Sequence, residues 1–538
     1  MKFSASRKRD DPPGLEDLPL DVLDKIIEKS IEIYPASAKT LPLISKKLFS
    51  MLQALEKPIL RVHAEEAEAV YERLQKPNRP WSVGSCFLRS LYQFSTCMDL
   101  SPLEKCPTLH TVYVSASSRI TNVSALTKCP KLHTLSITGH DRYDGIATDI
   151  TALRECPALR FLEMISFYFS DVSALADCKA LETLIISSCK NMTDVSALAD
   201  CKALKTLDMS GCRRVTDVSA LGECKALCVL DISNCEEVTD VSALAKCPAL
   251  HTLKMRFCSV SDVSALGECQ ALRFLDIHFC DKVTDVSALA RCAALEYLDI
   301  TYCQVTDVSA LARCATLHTL YAAVTPLINV SVLARFATLK ILDINENNSQ
   351  LTTLSGLDEC PALEIVDASN CYQLTDVSAL GRCVSLRSVD ISNCGQVTDI
   401  SALGRCASLR FVDISKCRKV TDVSALAECP SLEKINISHC YKLTDVSALG
   451  RCKALRALDV SNCYELTDVS ALGMCARLEF LDISYCTKVM DVSALSKCLT
   501  LQTLRMRESN CEYVPTIWAL RSCPELRILN ITTCELSR

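Results

Sequence analysis

The sequence predicts an α/β solenoid, a stack of short coils that each contribute one strand and one short helical turn. A unit of about 23 residues recurs from about residue 106 to the end of the chain, for example CKALKTLDMSGCRRVTDVSALGE at 201–223. Of the 538 residues only 13 are glycine and 35 are cysteine, so the coils must turn largely without glycine. A single unit cannot bury its apolar face, whereas stacked units share one continuous core.

From Cys86 onward each unit but one opens with a cysteine, and positions are counted from this residue as offset zero. Offsets 6 and 8 are apolar and alternate with polar residues, which predicts a short strand with offsets 5, 7, 9 and 10 on its exposed face. Asp at offset 16, such as Asp217, predicts the cap of a single 3-10 turn. The apolar positions and the second cysteine, at offset 11, are in one unit Leu204, Leu207, Met209, Cys212, Val215, Val218 and Leu221.

The two cysteine columns allow two interpretations, a metal or redox array and a set of small core residues. One unit has Phe336 in place of the opening cysteine and Asn347 at offset 11, and no CxxC pair occurs. A phenyl ring can replace a core side chain but not a thiolate ligand, so packing is favoured. Charge at Met1–Asp11 argues against a signal peptide, so the thiols are expected to be free. Cys228 and Cys511 lie outside the columns.

The chain before the repeats is organised differently. Residues 1–14 are expected to be a disordered tail and residues 15–80 a small all-α domain, because apolar residues there recur at helical spacing. The solenoid then covers 81–538 with about 19 units and is irregular at 321–359, where several repeat residues are lost. The helical spacing is seen at Leu23, Ile26, Ile27 and Ile31, and again at Leu60, Ala67, Val70 and Leu74.

The L-x-x-L-x-I-x-x-C register resembles the leucine-rich-repeat family across about 450 residues. The D-V-S-A-L segment resembles the short convex side of internalin-type repeats, and L-D-I-S-x-C resembles the cysteine-containing repeats of F-box proteins. The resemblance implies a curved array with a parallel sheet on the concave face and short 3-10 turns on the convex face. It also implies that partners bind on the concave face.

Residues 18–49 resemble an F-box, through the Leu-Pro start and the Ser-Lys-x-x-Phe end. This likeness implies a helical segment that docks on the Skp1-type adaptor of a cullin ubiquitin ligase. The alternative is that residues 15–80 only cap the exposed apolar end of the solenoid. The residues expected to bind the adaptor are Leu18, Pro19, Leu23, Ile26, Ile27, Leu41, Ile44 and Phe49.

Departures from the repeat on the exposed strand face mark a candidate partner site, because stacking does not dictate those residues. Asp recurs at offset 7 of many units. We interpret this column mainly as part of the repeat consensus; the alternative is that it forms an acidic groove for a partner. The departures predict a basic and aromatic patch, with drift within one part of the array as the alternative. The predicted partner-binding residues are Lys254, Arg256, Phe257, His278, Phe279, Tyr302 and Tyr321, and a second set is Arg505, Arg507 and Trp518.

Composition and motifs favour a binding protein. A net charge of −6 and a pI near 5.9 argue against a nucleic-acid partner, and no apolar run approaches the ~20 residues that span a membrane. No G-x-x-x-x-G-K, H-E-x-x-H or G-x-S-x-G motif occurs, so neither an enzyme nor a cofactor or metal site is expected. The predicted function is substrate recognition within a Skp1–cullin–F-box-type ligase; the alternative is a scaffold without that role. The expected location is the cytoplasm, and the basic triplet at 7–9 leaves a nuclear location open.

Overall fold

The chain divides into two compact units, Met1–Ile59 and Leu60–Arg538, and the repeats lie in the second. The predicted tail and the predicted adaptor-binding residues at 18–49 lie outside the described residues. The computed structural model describes residues 59–63, 85–89, 100–115, 123–138, 149–327, 330–347, 351–508 and 518–531.

The described strands form one sheet in which each strand of the array pairs in parallel with the strand of the next coil. Equivalent offsets are in register, so that Leu207 pairs with Leu230. The predicted solenoid with a parallel sheet is therefore confirmed. The strands are β1 Ile59–His63, β2 Ser85–Arg89, β3 Thr111–Ser115, β4 Thr134–Thr138, β5 Phe161–Ile165, β6 Thr183–Ile185, β7 Thr206–Asp208, β8 Val229–Asp231, β9 Thr252–Lys254, β10 Phe274–Asp276, β11 Tyr297–Asp299, β12 Thr319–Tyr321, β13 Ile341–Asp343, β14 Ile365–Asp367, β15 Ser388–Asp390, β16 Phe411–Asp413, β17 Lys434–Asn436, β18 Ala457–Asp459, β19 Phe480–Asp482, β20 Thr503–Arg505 and β21 Ile528–Asn530.

A 3-10 helix returns the chain on the opposite side of each coil. The predicted Asp cap is confirmed, because Oδ1 of Asp217 accepts a 2.7 Å hydrogen bond from the backbone N–H of Ser219. This bond lowers the pKa of Asp217. No helix of the described residues is long and apolar enough to cross a membrane. The 3-10 helices are Ser101–Lys105, Ser124–Lys128, Thr151–Glu155, Ser173–Asp177, Ser196–Asp200, Ser219–Glu223, Ser242–Lys246, Ser264–Glu268, Ser287–Arg291, Ser309–Arg313, Ser331–Arg335, Leu357–Glu359, Ser378–Arg382, Ser401–Arg405, Ser424–Glu428, Ser447–Arg451, Ser470–Met474, Ser493–Lys497 and Leu520–Ser522.

The cysteine columns form two ladders inside the core. The cysteines whose burial the structure describes are all buried except Cys228, which lies outside the columns and is half-buried. Each ladder thiol donates to a carbonyl of the preceding coil, as Sγ of Cys201 does to Leu175 at 3.3 Å and Sγ of Cys212 to Ile186 at 3.2 Å. Burial raises the pKa of Cys201 to about 11. The packing interpretation is therefore confirmed for these residues. Among the described residues, no group of three or more His, Cys, Asp and Glu side chains could hold a metal ion.

Two sequence interpretations at the start of the array are wrong. Ile59–His63 form a strand that pairs with β2, although the spacing from Leu60 predicts a helix. Cys86 lies within β2 opposite Val112, at offset 6, and does not open a unit. Both errors have the same cause, because β2 extends the sheet of a parallel array and its residues must follow the register of β3.

The second cysteine ladder is interrupted within the irregular segment. Thr325 occupies offset 11 of one coil, and its hydroxyl donates to Ala322 and Ala323 of its own coil. In the next coil Asn347 is buried, and neither its Nδ2 nor its Oδ1 has a hydrogen-bond partner among the described residues. Phe336 is also buried, as expected for a core substitute.

Replacing Asn347 with cysteine is expected to stabilise the array by about 1–3 kcal/mol, since a buried amide without partners carries a desolvation cost that a thiol largely avoids. Urea unfolding followed by circular dichroism measures this change. Asn345→Cys is the control, because Asn345 is only half-buried and its side chain already bonds Asp343. Equal or lower stability of N347C would contradict the prediction.

Candidate functional site

The predicted partner residues of the middle coils lie at and just after the ends of β9 to β12. Phe257, Phe279 and Tyr302 occupy offset 10 of three consecutive coils and are called here the aromatic row. The ring centroids of Phe257 and Phe279 are 4.8 Å apart, and those of Phe279 and Tyr302 are 4.3 Å apart. His278 contacts this row edge-on, with its centroid 5.7 Å from Tyr302. The structure therefore brings these four residues together.

The backbone at the aromatic row has a left-handed conformation. Offset 10 has positive φ in coil after coil, and other coils place Gly211 or Asn234 there. Phe257, Phe279 and Tyr302 have φ of 56°, 62° and 63°. Such bulky residues are uncommon in this conformation, which costs ~1 kcal/mol or more per residue. Ring stacking returns ~0.5–1.5 kcal/mol per pair, so it offsets only part of this cost. Phe257 and Phe279 remain exposed, at 41% and 37%, and Tyr302 is half-buried.

The basic residues beside the row are already paired with carboxylates. Nε of Arg256 donates to Oδ2 of Asp276, whose side chain is fully buried. Burial raises the pKa of Asp276, and the bond from Arg256 opposes that shift. Nζ of Lys254 lies 3.8 Å from Asp231. The surface is consequently aromatic with neutralised charges, and its predicted basic character is reduced by these pairs.

A second set of rings lies on the strands themselves. The Phe274 and Tyr297 centroids are 4.1 Å apart and nearly parallel, and those of Tyr297 and Tyr321 are 5.6 Å apart. Tyr321 therefore extends this strand set, next to the aromatic row. Burial raises the pKa of Tyr321. The sequence analysis missed Phe274 and Tyr297, although aromatic residues at offset 5 of two consecutive coils were the signal that could have revealed them.

The second predicted set, near the last coils, contacts other residues. Arg505 lies over the Phe480 ring at 5.2 Å and 3.7 Å from Asp482. Trp518 is 54% exposed, and the guanidinium of Arg521 lies 3.6 Å from its ring centroid. These interactions pair Arg505 and Trp518 with neighbours within the array. Arg507 is exposed, and its backbone N–H bonds the Ser484 hydroxyl.

The Asp side chains at offset 7 form hydrogen bonds at the ends of the strands. Oδ1 of Asp413 accepts the backbone N–H of Ser415 at 2.8 Å, and its Oδ2 accepts Nδ2 of Asn436 from the next coil at 2.8 Å. The same Asp–Ser bond recurs along the array, for example at Asp208. Burial raises the pKa of Asp343 to about 6. The column is thus explained by local hydrogen bonding, as the consensus interpretation expects.

Repeats of this length, with one strand and one 3-10 turn each, define a leucine-rich-repeat protein. Family models of leucine-rich repeats match several parts of the chain. Residues 179–223 match "Leucine Rich repeats (2 copies)", residues 355–456 and 401–527 match "BspA type Leucine rich repeat region (6 copies)", and residues 291–312 match "Leucine Rich repeat". No curated protein matches the sequence.

Solved structures that are similar to this chain include an internalin. The internalin InlF from Listeria monocytogenes str. 4b F2365 is 20% identical with a TM-score of 0.48, over 70% of this chain and 95% of its own. The functional domain of InlJ from Listeria monocytogenes, described as including a cysteine ladder, is 16% identical with a TM-score of 0.48, over 68% and 71%. TLR13, solved in a complex with ssRNA13, is 16% identical with a TM-score of 0.58, over 84% and 71%. At this identity the likeness shows the solenoid fold alone.

Proposed function

We propose that this protein is a non-enzymatic binding solenoid that holds a protein partner against the aromatic row. The observation that carries the proposal is the stack of Phe257, Phe279 and Tyr302 at the left-handed position of three consecutive coils, where the other described coils place mainly Asn, Ser or charged residues. Their side chains lie outside the core, so core packing does not require them. Local strain that packing does not demand is typical of residues kept for function.

The chemistry of the surface favours a polypeptide partner. Stacked rings offer a large contact area with few rotatable bonds, and aromatic residues are enriched at the energetic centres of protein interfaces. The neighbouring Arg256–Asp276 and Lys254–Asp231 pairs are already formed, so a partner that covers them leaves no charge unpaired. This combination supports an interface with an aromatic centre and a polar rim.

A narrower version makes the protein the substrate-recognition subunit of a cytoplasmic Skp1–cullin–F-box-type ubiquitin ligase. It is supported by the F-box likeness of residues 18–49 and by the pairing of that motif with leucine-rich repeats. The alternative is a scaffold in which residues 15–80 only cap the array. Affinity isolation of the full chain distinguishes them: the ligase version expects a Skp1-type subunit that is lost from the Leu23→Asp, Ile27→Asp variant. Its absence, or its retention in that variant, favours the scaffold.

The aromatic row can be tested by substituting Asn for Phe257, Phe279 and Tyr302 together. Asn suits the left-handed backbone, so melting should stay within a few degrees of wild type while partner capture from the source cells falls about tenfold or more. The matched control is Ile365→Ser with Phe411→Ser, which removes two other exposed apolar side chains from the strand face. Undiminished capture by the triple variant would contradict the proposal.

A further inference from the structure

A second surface lies where the chain leaves two strands of the C-terminal block. It is formed by the sequences KCRK and HCYK, which follow β16 and β17 at the same offsets of adjacent coils. The backbone holds the two segments side by side, since the N–H of Lys416 bonds the carbonyl of Ser438 at 2.7 Å. The four cations, called here the basic edge, are Lys416, Arg418, Lys419 and Lys442.

The basic edge gathers four cations on two adjacent coils, and carboxylates of the described residues do not neutralise their charges. Within the described part of the chain, none of its four members forms a salt bridge; Lys419 bonds only the neutral Gln396, at 2.5 Å. By contrast, Arg213 occupies the same offset as Arg418 and pairs with Glu236 of the following coil at 3.3 Å. The coil after Arg418 instead contributes Lys442. Clustered like charges without counter-charges are typical of a surface that binds an anionic partner.

Aromatic stacking positions the central cation. The guanidinium of Arg418 lies 5.6 Å from the centroid of Tyr441, and Tyr441 is stacked on Tyr464 at 5.3 Å with an interplanar angle of 16°. A cation–π contact of this kind leaves the N–H groups of Arg418 free to bond an acceptor in the guanidinium plane. His439 adds a further polar ring, 6.0 Å from Tyr441.

The extent of the surface limits what it can bind. Two adjacent coils span only ~5 Å between strand axes, so the cations can engage a few neighbouring anionic groups. A long nucleic-acid backbone would extend beyond these two coils toward the carboxylates at offset 7 of the adjoining strands, Asp413 and Asp459. We propose that the basic edge binds a short acidic peptide segment, rich in Asp and Glu, of a partner protein. This surface is separate from the aromatic row and does not depend on it.

Two variants of the full chain that remove the same number of charges from the same offsets test this proposal. Arg418→Gln with Lys419→Gln changes the basic edge, and Arg213→Gln with Arg214→Gln changes the residues at the same two offsets of another coil, where Arg213 is paired with Glu236. Fluorescence anisotropy with a labelled oligoglutamate peptide should show binding by wild type that weakens about tenfold or more in the first variant, because charge-assisted hydrogen bonds are lost. The second variant should bind like wild type, and an oligoglutamine peptide should not bind.

Three outcomes would overturn the proposal. If oligoglutamate binding weakened equally in both variants, the peptide would be attracted to surface cations in general. If wild type did not bind oligoglutamate at all, an acidic peptide would be excluded as the ligand. Tighter binding of single-stranded oligouridine than of oligoglutamate, lost in the first variant, would assign the surface to nucleic acid. Circular dichroism of both variants confirms that the fold is retained.

Discussion

Raising the pH to about 9.5 is expected to unfold the array, because unfolding exposes its buried thiols to ionisation. In the folded chain burial holds the pKa of Cys201 at about 11 and that of Cys224 at about 12. In the unfolded chain a thiol has a pKa of about 8.5. A folded pKa above the unfolded one leaves stability intact below the unfolded value and reduces it as the pH rises.

The expected effect is large because the thiols are many. One pH unit above its unfolded pKa, each buried thiol favours the unfolded chain by about 1.4 kcal/mol. Of the 31 cysteines whose burial the structure describes, 30 are buried. Ten thiols with raised pKa values would already reach about 14 kcal/mol, the upper end of the usual stability of a folded chain.

Absorbance at the thiolate band and circular dichroism, recorded together across the alkaline range under reducing conditions, measure this effect. Thiolate formation and loss of structure should coincide and should reverse on return to neutral pH. Tyrosinate absorbance serves as the control, since a tyrosine of an unfolded chain has a pKa of about 10 and its ionisation should follow that of the thiols. If thiolates formed at a lower pH than the loss of structure, while the circular dichroism spectrum stayed native, the result would contradict the burial of the two cysteine ladders.

Replacing Arg256 with methionine is expected to destabilise the array by about 3 kcal/mol, because Asp276 would stay covered while losing its charged donor and keeping only the backbone N–H of His278. Arg256→Ser should cost less, since the shorter side chain admits water to the carboxylate. The loss in R256M should shrink as the pH falls, because the pKa of Asp276 is raised by burial and protonation removes the buried charge. Urea unfolding at several pH values measures these differences.

Lys254→Met is the matched control for the Arg256 variants. Nζ of Lys254 is 3.8 Å from a partly exposed Asp231, and such pairs contribute about 0–1 kcal/mol. A cost for Lys254→Met equal to that of Arg256→Met would show that charge removal alone explains the loss. R256S less stable than R256M would contradict the role assigned to the buried carboxylate.

Most of the fold could be predicted because the repeat fixes it many times over. Leu207 and Leu230 occupy the same offset in consecutive units, so the parallel register follows from the period. Prediction failed at Cys86 because a cysteine there looks like a unit opener, while only strand pairing shows that it occupies offset 6. Where one unit departs from the others, its partners in the next coil decide the structure.

The candidate site could be located but not fully described from sequence. The departures at Phe257 and Phe279 marked the coils of the candidate site, yet the left-handed backbone beneath them is visible only in the structure. The pairing of Arg256 with Asp276 joins residues of different coils, and no residue pattern within one unit reveals it. The basic edge was missed because Arg418 and Arg213 occupy the same offset in their units. Only contacts with the following coil show that Arg213 is paired with Glu236 and that Arg418 lies over Tyr441.

Site-specific photo-cross-linking tests the central claim, that the aromatic row contacts a protein partner. Benzoylphenylalanine would be placed in the full chain at position 279 or, as the control, at position 411; Phe279 and Phe411 are both 37% exposed. After irradiation in the source cells, position 279 should yield a discrete protein adduct that position 411 does not. Equal adducts at both positions, or none at 279, would contradict the assignment of the aromatic row as the binding surface.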